Sequence, residues 1–329
     1  MSVPRRVLLV KTSSLGDVIH NLPVVGDLQK AFPGVVVDWV AEEGFAGIPR
    51  LHPGVRAVIP VAFRRWRGKP LSLATWREIR ATRRRLAEES YDLVLDTQGL
   101  LKSALVVHAT RGRKVGFSAA CARESWAARF YDDAFFVPRD LHAVERNRRL
   151  AAAALGHMPE PEPDYGLTLG RTRGCGASAV LLTASSRDDK LWPEENWVAL
   201  GRALARRGLV PLFPGGSFRE RQRARRLAEQ ISGAQAVPPM SLAALADLLF
   251  CARLVVGVDT GLTHLAVAMR TPTLALYTAT DPGLTGVLGA SWHRNLGGRT
   301  RMPTVEAVLQ ELEPLLANPS APGSAGANS

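Results

Sequence analysis

The chain is poor in cysteine: Cys121, Cys175 and Cys251 are all that 329 residues contain, far apart and odd in number. That excludes a disulfide-stapled scaffold and a thiolate metal cluster, and predicts buried or free thiols. Long apolar runs are also missing, since no segment approaches the roughly 20 residues that span a bilayer. The first residues, MSVPRRVLLVKTSSLGD, hold an apolar run too short for a signal peptide and no small-residue cleavage site. The expected compartment is therefore the cytoplasm. No G-x-G-x-x-G follows a strand-like run and no G-x-x-x-x-G-K-[ST] occurs, which argues against dinucleotide dehydrogenases and P-loop enzymes. Neither a D-x-D triplet nor a His/carboxylate cluster at ligand spacing is present, so a metal-free site is expected.

Acidic residues are the minority, 30 against 42 Lys and Arg, for a net charge of +12. Such an excess points to a polyanionic partner: nucleic acid, an anionic membrane face or a phosphorylated substrate. The run RATRRRLAEE reads as a solvated helix face. FRRWRGKP differs: it follows the strand-like AVIPV and ends in Gly and Pro, so it reads as a loop. Its four cations, Arg64, Arg65, Arg67 and Lys69, with one tryptophan, suggest a binding surface. A nucleic-acid-binding protein is the rival reading, but no aromatic-studded strand or recognition-helix motif accompanies the charge.

What is abundant is alternation. Strand-like runs at 6–10, 35–41, 57–61, 92–96 and 134–137 alternate with helical patterns at 17–31, 72–90, 99–109, 121–131 and 140–156. The second half repeats the scheme, with strands at 179–184, 209–213, 253–258 and 273–277 and helices near 193–207, 217–231, 241–250, 262–270 and 304–316. This predicts an α/β fold of two doubly wound parallel-sheet domains facing a central cleft. The boundaries are 1–160 and 161–317, joined near the Pro-rich, acidic GHMPEPEPDYG, and 318–329 has the composition of a disordered tail. Ligands of such sheets bind beyond the carboxyl ends of the strands.

Four loops of that kind carry chemistry. Asp259-Thr260-Gly261 delivers a helix N-terminus, a seat for an anion, with hydroxyls from Thr260 and Thr263 and His264 one turn in. Asp259 or Thr260 could equally be a simple cap. SSRDDKLWP offers Ser185, Ser186 and Lys190 to phosphate oxygens, with Asp188 or Asp189 available to cap the helix entered through Pro193. Glu220, after FPGGS, sits in a first helical turn and could accept ribose hydroxyls. Met240 could touch a base or fill the core. Together these loops describe a nucleotide-diphosphate pocket in the second domain. In the first, KTSSLGD places Asp17 where a helix N-terminus keeps a carboxylate ionised. Asp17 is either a general base or an N-cap.

KTSSLGDVIHNLP, DWVAEEGFAGIP, AFRRWR, DTQGLLKSAL, HAVERNR, SSRDDKLWPEENW and VDTGLTH, in this order, resemble the lipopolysaccharide heptosyltransferases, most of all the members that add the first heptose of the inner core. The resemblance runs from Arg6 to Glu313. It implies the GT-B fold, two Rossmann-like domains, and inverting transfer of L-glycero-D-manno-heptose from ADP-heptose to Kdo-lipid A without metal or cofactor. By the same resemblance Asp17 is the catalytic base and Lys190 the donor-binding lysine. Ser185, Ser186, Glu220, Met240, Asp259, Thr260, Gly261 and His264 match donor contacts. Arg64, Arg65, Arg67, Arg123, His142 and Arg146 match the acceptor surface, which Lys69 extends. The implied acceptor carries phosphates and carboxylates, and the implied location is the anionic cytoplasmic face of the inner membrane, held without an anchor. A second-heptose enzyme or another nucleotide-sugar enzyme is the alternative on this scaffold; RRWR and HAVERNR favour the first-heptose acceptor.

Overall fold

The computed structural model describes residues 3–169, 176–289 and 292–317; Cys175 and the 318–329 tail lie outside them. The chain divides into two compact units, Met1–Leu167 and Thr168–Ser329.

Unit 1 opens with β1 (Arg6–Val10), α1 (Leu15–Ile19), α2 (Leu22–Ala31), β2 (Val36–Glu42) and β3 (Val55–Val61). Then come α3 (Phe63–Gly68), α4 (Leu73–Glu88), β4 (Ser90–Asp96), α5 (Leu101–His108), β5 (Arg111–Phe117), β6 (Asp133–Phe135) and α6 (Ala143–Leu155). Its sheet is parallel in the order β3-β2-β1-β4-β5-β6. The central strand, RVLLV, is buried from Val7 to Val10, as a strand covered by helices on both faces must be.

Unit 2 repeats the plan with β7 (Ser178–Leu182), α7 (Glu194–Arg206), β8 (Val210–Phe213), α8 (Phe218–Glu229), β9 (Gln235–Ala236) and α9 (Leu242–Cys251). It continues through β10 (Leu254–Val258), α10 (Gly261–Ala268), β11 (Thr273–Tyr277), α11 (Pro282–Thr285), β12 (His293–Gly297) and α12 (Val305–Ala317). The order is β12-β11-β10-β7-β8-β9, again parallel. Its core holds Trp192 and Trp197 edge to face at 5.0 Å, and the Trp192 indole donates to the Pro303 carbonyl at 2.8 Å.

In each sheet the chain starts at the centre, builds outward one way, then returns to build the other way. The return leaves a crevice beyond the carboxyl ends of β1 and β4 in unit 1, and of β7 and β10 in unit 2. Loops diverge there, and this is where doubly wound sheets bind ligands.

Several local expectations are corrected. The helix expected over 17–31 is two, α1 and α2, because Pro23 has no N–H to donate and fits only a first turn. FRRWRGK is not a loop but the helix α3. Phe63 and Trp66, three residues apart, pack edge to face at 5.5 Å against the core beneath, and Gly68 and Pro70 mark only the exit. The pattern at 121–131 forms a short 3₁₀ turn, Ser125–Phe130. Neither Asp188 nor Asp189 caps α7, whose N-cap is Pro193. Strands β5, RGRKVGF, and β12, HRNLG, were not expected from their polar sequences. Cys121 is a buried free thiol and Cys251 a half-buried one.

Inside unit 1, α2 and α6 are locked by a buried ion pair. Arg148 donates to both Asp27 carboxylate oxygens, at 2.7 and 2.8 Å, with side chains 2% and 4% exposed. Arg148 also donates to the Glu160 carbonyl, tying the Pro-rich connection to this unit. Gly166 carries the chain onward at φ +61°, so close to the His52 ring that a Cβ would stand 2.2 Å from Nε2. Removing one partner of such a pair strands a buried charge. Asp27→Ala should lower unfolding stability by about 3–5 kcal/mol, read from the urea midpoint. A loss below about 1 kcal/mol, the scale of an exposed pair, would show that the lock is dispensable.

Candidate functional site

At the crevice of unit 1, the loop after β1 meets the loop after β4. Thr12 donates through its backbone N–H (2.7 Å) and hydroxyl (2.8 Å) to Gln98 Oε1, and Gln98 Nε2 returns a bond to the Ser13 carbonyl at 2.7 Å. This pins the turn that starts α1. Ser14 is the N-cap and Asp17 the third residue of the helix, so Asp17 is not the N-cap itself. Its Oδ2 accepts the Ser14 N–H at 2.8 Å and the Ser14 hydroxyl at 3.1 Å, while Oδ1 accepts Arg123 Nη2 at 2.8 Å. The carboxylate is mostly covered, at 16% exposure. Burial pushes its pKa up, but the Lys11 and Arg123 cations and the Ser14 N–H outweigh it and hold the group at about 2.

Lys11 is the first residue past β1 and is buried. Its ammonium donates to the Thr97 carbonyl at 2.7 Å and to Asn147 Oδ1 at 3.2 Å. Burial lowers its pKa to about 8, against the pull of Asp17. Arg123 reaches Asp17 because its loop docks on the Gly99 turn: Glu124 N–H donates to the Gly99 carbonyl at 3.0 Å, and Glu124 accepts from Leu101 N–H at 2.6 Å. Gly99 has φ +65°, with Phe117 and the Arg123 backbone close to where a Cβ would be. Arg146, on α6, lies 4.7 Å over the Phe117 ring and donates to the Cys121 carbonyl at 2.9 Å, and its Nε is buried without a hydrogen-bond partner. His142 caps α6 through Nδ1, which accepts the Val144 N–H at 3.2 Å.

Arg123 and Arg146 therefore gather around Asp17, and His142 opens the helix that carries Arg146. The α3 cations form a second group. Arg64 stacks 4.8 Å over Phe45. Arg65 is engaged by two carboxylates, Glu43 at 3.0 Å and Glu78 at 2.7 Å. Arg67 and Lys69 are exposed. Lys102 stands between the groups, donating to Ser13 Oγ at 2.7 Å.

Unit 2 builds its crevice from the loops after β7 and β10. Lys190 donates to Asp259 Oδ2 at 2.7 Å, and the Thr280 hydroxyl donates to the same oxygen at 2.6 Å. His264 Nε2 lies 3.7 Å from Oδ1. Burial raises the Asp259 pKa, but contacts with His264, Lys190 and Thr280 overcome it and hold the group well below the usual carboxylate range. The Ser185 hydroxyl donates to the Asp259 carbonyl at 3.1 Å, while Ser186 is exposed. Thr260 is the N-cap of α10 and Gly261 its first residue. Thr263 does not offer its hydroxyl outward as expected; it is buried and donates to the Val258 carbonyl at 2.7 Å. Glu220 closes a capping box on α8, accepting the Gly216 and Ser217 N–H groups at 2.8 and 2.9 Å. Met240 is half-buried in the turn before α9 rather than a core filler. Among the described residues no group of three or more His, Cys, Asp or Glu side chains is arranged to hold a metal ion.

Lys11, Gln98, Asn147, Lys102 and Thr280 join these sites without having been singled out in the sequence. Four lie inside the motifs KTSSLGD, DTQGLLKSAL and HAVERNR, so position in a motif was an available signal; Thr280 offered none.

A profile for glycosyltransferase family 9 (heptosyltransferase) matches residues 79–322. The chain is 44% identical over 318 residues to lipopolysaccharide heptosyltransferase 1 of Escherichia coli strain K12, covering 94% of this chain and 100% of that protein. The solved structure of E. coli heptosyltransferase WaaC with ADP superposes with a TM-score of 0.88 at 43% identity, over 94% of this chain and 99% of that one. WaaC with ADP-2-deoxy-2-fluoro heptose gives 0.85 at 41% identity, over 94% and 99%. The fold is thus of the GT-B type, two Rossmann-like α/β units.

The Lys11 cation makes a prediction about acidity. With Asp17 held at about 2, kcat/KM of the wild type should show no acid limb from this group above about pH 4. In Lys11→Met the carboxyl keeps its burial and loses its largest cationic support, so its pKa rises and an acid limb should appear at about pH 4 or above. Superimposable profiles for the two proteins would remove Lys11 from any influence on Asp17.

Proposed function

The chain belongs to glycosyltransferase family 9, the heptosyltransferases, and on that premise we propose that it transfers L-glycero-D-manno-heptose from ADP-heptose to a Kdo hydroxyl of Kdo-lipid A. The observation that carries the reading is Asp17, a covered carboxylate kept ionised beside Arg123 and Lys11 at the crevice of unit 1.

In this mechanism Asp17 takes the proton of the Kdo hydroxyl as its oxygen attacks the anomeric carbon of the heptose. The bond from that carbon to the diphosphate breaks on the opposite face, inverting the centre, and ADP leaves with the electron pair. Lys190 spends one of its three N–H donors on Asp259 and keeps the others for diphosphate oxygens. The free N–H groups at the start of α10, by Thr260 and Gly261, add a second seat for that charge. Asp259, itself steadied by His264 and Thr280, holds Lys190 in place; Ser185 and Ser186 line the same loop, and Glu220 in the first turn of α8 and Met240 just before α9 are contacts for the nucleoside. In unit 1 Arg123, Arg146 and His142 receive the carboxylate and phosphate groups of the acceptor, with Arg64, Arg65, Arg67 and Lys69 as a second cationic bank. Positive charge supplied by Lys190 and α10 supports a reaction that runs without metal or further cofactor.

No helix among the described residues is long and apolar enough to cross a membrane. The net charge of +12 and the α3 cations support peripheral attachment at the anionic cytoplasmic face of the inner membrane, where such an acceptor is presented. They serve that anionic lipid rather than nucleic acid.

Release of ADP from purified protein, ADP-heptose and Kdo-lipid A tests the activity directly. Asp17→Asn should lower kcat about a hundredfold to ten-thousandfold with donor affinity retained; turnover near that of the wild type would rule out the base. Lys190→Ala should lower kcat/KM for the donor roughly tenfold to a hundredfold, the scale of a charge-assisted contact. Unchanged donor kinetics would exclude Lys190 from the diphosphate.

A further inference from the structure

Helix α4 is oddly placed for an amphipathic helix. Of its sixteen residues only Thr75 and Leu86 are buried. Trp76 is 60% exposed, and Leu105 across from it on α5 is 53% exposed. Between α3, α4 and α5 lies a cavity of about 800 Å3, within the range that holds drug-sized ligands. Its walls are apolar, from Phe63, Trp66, Trp76, Ile79, Leu105 and Val106. Arg64, Arg67, Arg83 and Lys102 also line it and bring positive charge to its rim. One end reaches Ser13, which accepts from Lys102 at 2.7 Å and adjoins Ser14, the residue bonded to Asp17.

This is the lining of a site for an anionic amphiphile: cations for a charged head, an apolar trough for a hydrocarbon tail, and one end at the loop that holds the catalytic carboxylate. A soluble sugar would leave the trough unused. A folded chain gains by covering tryptophan and leucine side chains, so leaving them open calls for an occupant. We propose that the groove between α3, α4 and α5 takes one acyl chain of the anionic lipid acceptor whose hydroxyl is delivered to Asp17. This rests on the transfer reaction proposed above and adds a tail-binding subsite to it. Arg64, Arg67, Arg83 and Lys102 bind the phosphate or carboxylate groups next to the chain, and the chain lies along Trp76, Ile79 and Leu105.

The test compares two acceptors with the same anionic sugar head, one acylated and one fully de-acylated, in mixed micelles of fixed composition. The wild type should show a KM for the acylated acceptor about tenfold or more below that for the de-acylated one, the equivalent of two buried methylenes. Leu105→Glu, at an exposed position, and Ile79→Glu should each erase that gap and leave kcat on the de-acylated acceptor unchanged. Equal KM values in the wild type, or a gap that survives in both variants, would overturn the groove while the transfer reaction stands. Absence of transfer to either acceptor would overturn the reaction, and the groove is then judged by direct binding. Acceptor brominated on an acyl chain should quench tryptophan fluorescence, and Trp76→Phe should weaken that quenching, leaving the share that comes from Trp66 on the α3 wall. No quenching, or equal quenching by vesicles of a brominated zwitterionic phospholipid, would count against the acceptor's chain as the occupant.

Discussion

A carboxylate that has given up most of its water stays ionised only if cations take the water's place. Asp17 meets that condition twice, through Lys11 below it and Arg123 beside it. Each cation has its own requirements. Lys11 is buried and needs the Thr97 carbonyl and the Asn147 side chain to satisfy its ammonium. Arg123 needs a loop that docks on the Gly99 turn, which Asp96 shapes by accepting the Gln98 and Gly99 N–H groups at 2.8 and 3.2 Å. The ends of β1 and β4, the loop after β5 and the start of α6 therefore converge on one charge. The unit 1 fold can be understood as the scaffold that this convergence demands.

The two units share a strand order and use it in opposite senses. In unit 1 two cations serve a carboxylate, and the carboxylate is what the crevice presents. In unit 2 a carboxylate serves a cation: Asp259 is engaged by Thr280 and His264 as well as Lys190, and what remains available is the ammonium. Both arrangements keep a charge in a partly dehydrated place by giving it a fixed partner, which spares the reorganisation that water would need. The same backbone plan so yields a basic crevice suited to a proton and one suited to an anion.

Much of this was legible in the sequence, for a physical reason. Strands covered on both faces must be apolar, and RVLLV, DLVLD and RLVVGV announced themselves, as did the loops that follow them. β12 is hard to read because HRNLG is an edge strand, and β5 because its polar half, Arg111–Lys114, runs beyond the three residues that pair with β6, so polar side chains are tolerated in both. α3 reads as a loop because its charges hide a single apolar face of two rings. Of the site, Asp17 and Lys190 could be located by their place after a strand. Their supports could not: Lys11, Asn147 and Thr280 act through contacts between residues far apart in the chain, and no local pattern records which buried amide will face which ammonium.

Three consecutive residues of α6 divide its labour. Arg146 leans on Phe117 beside the Asp17 carboxylate, Asn147 steadies the buried lysine, and Arg148 grips Asp27 in the interior. Successive residues of a helix point about 100° apart, so these tasks face three ways from one turn and share a single rotational setting. Twisting the helix to improve any one of them spoils the other two. Chemistry and structural integrity are thereby geared together on this helix.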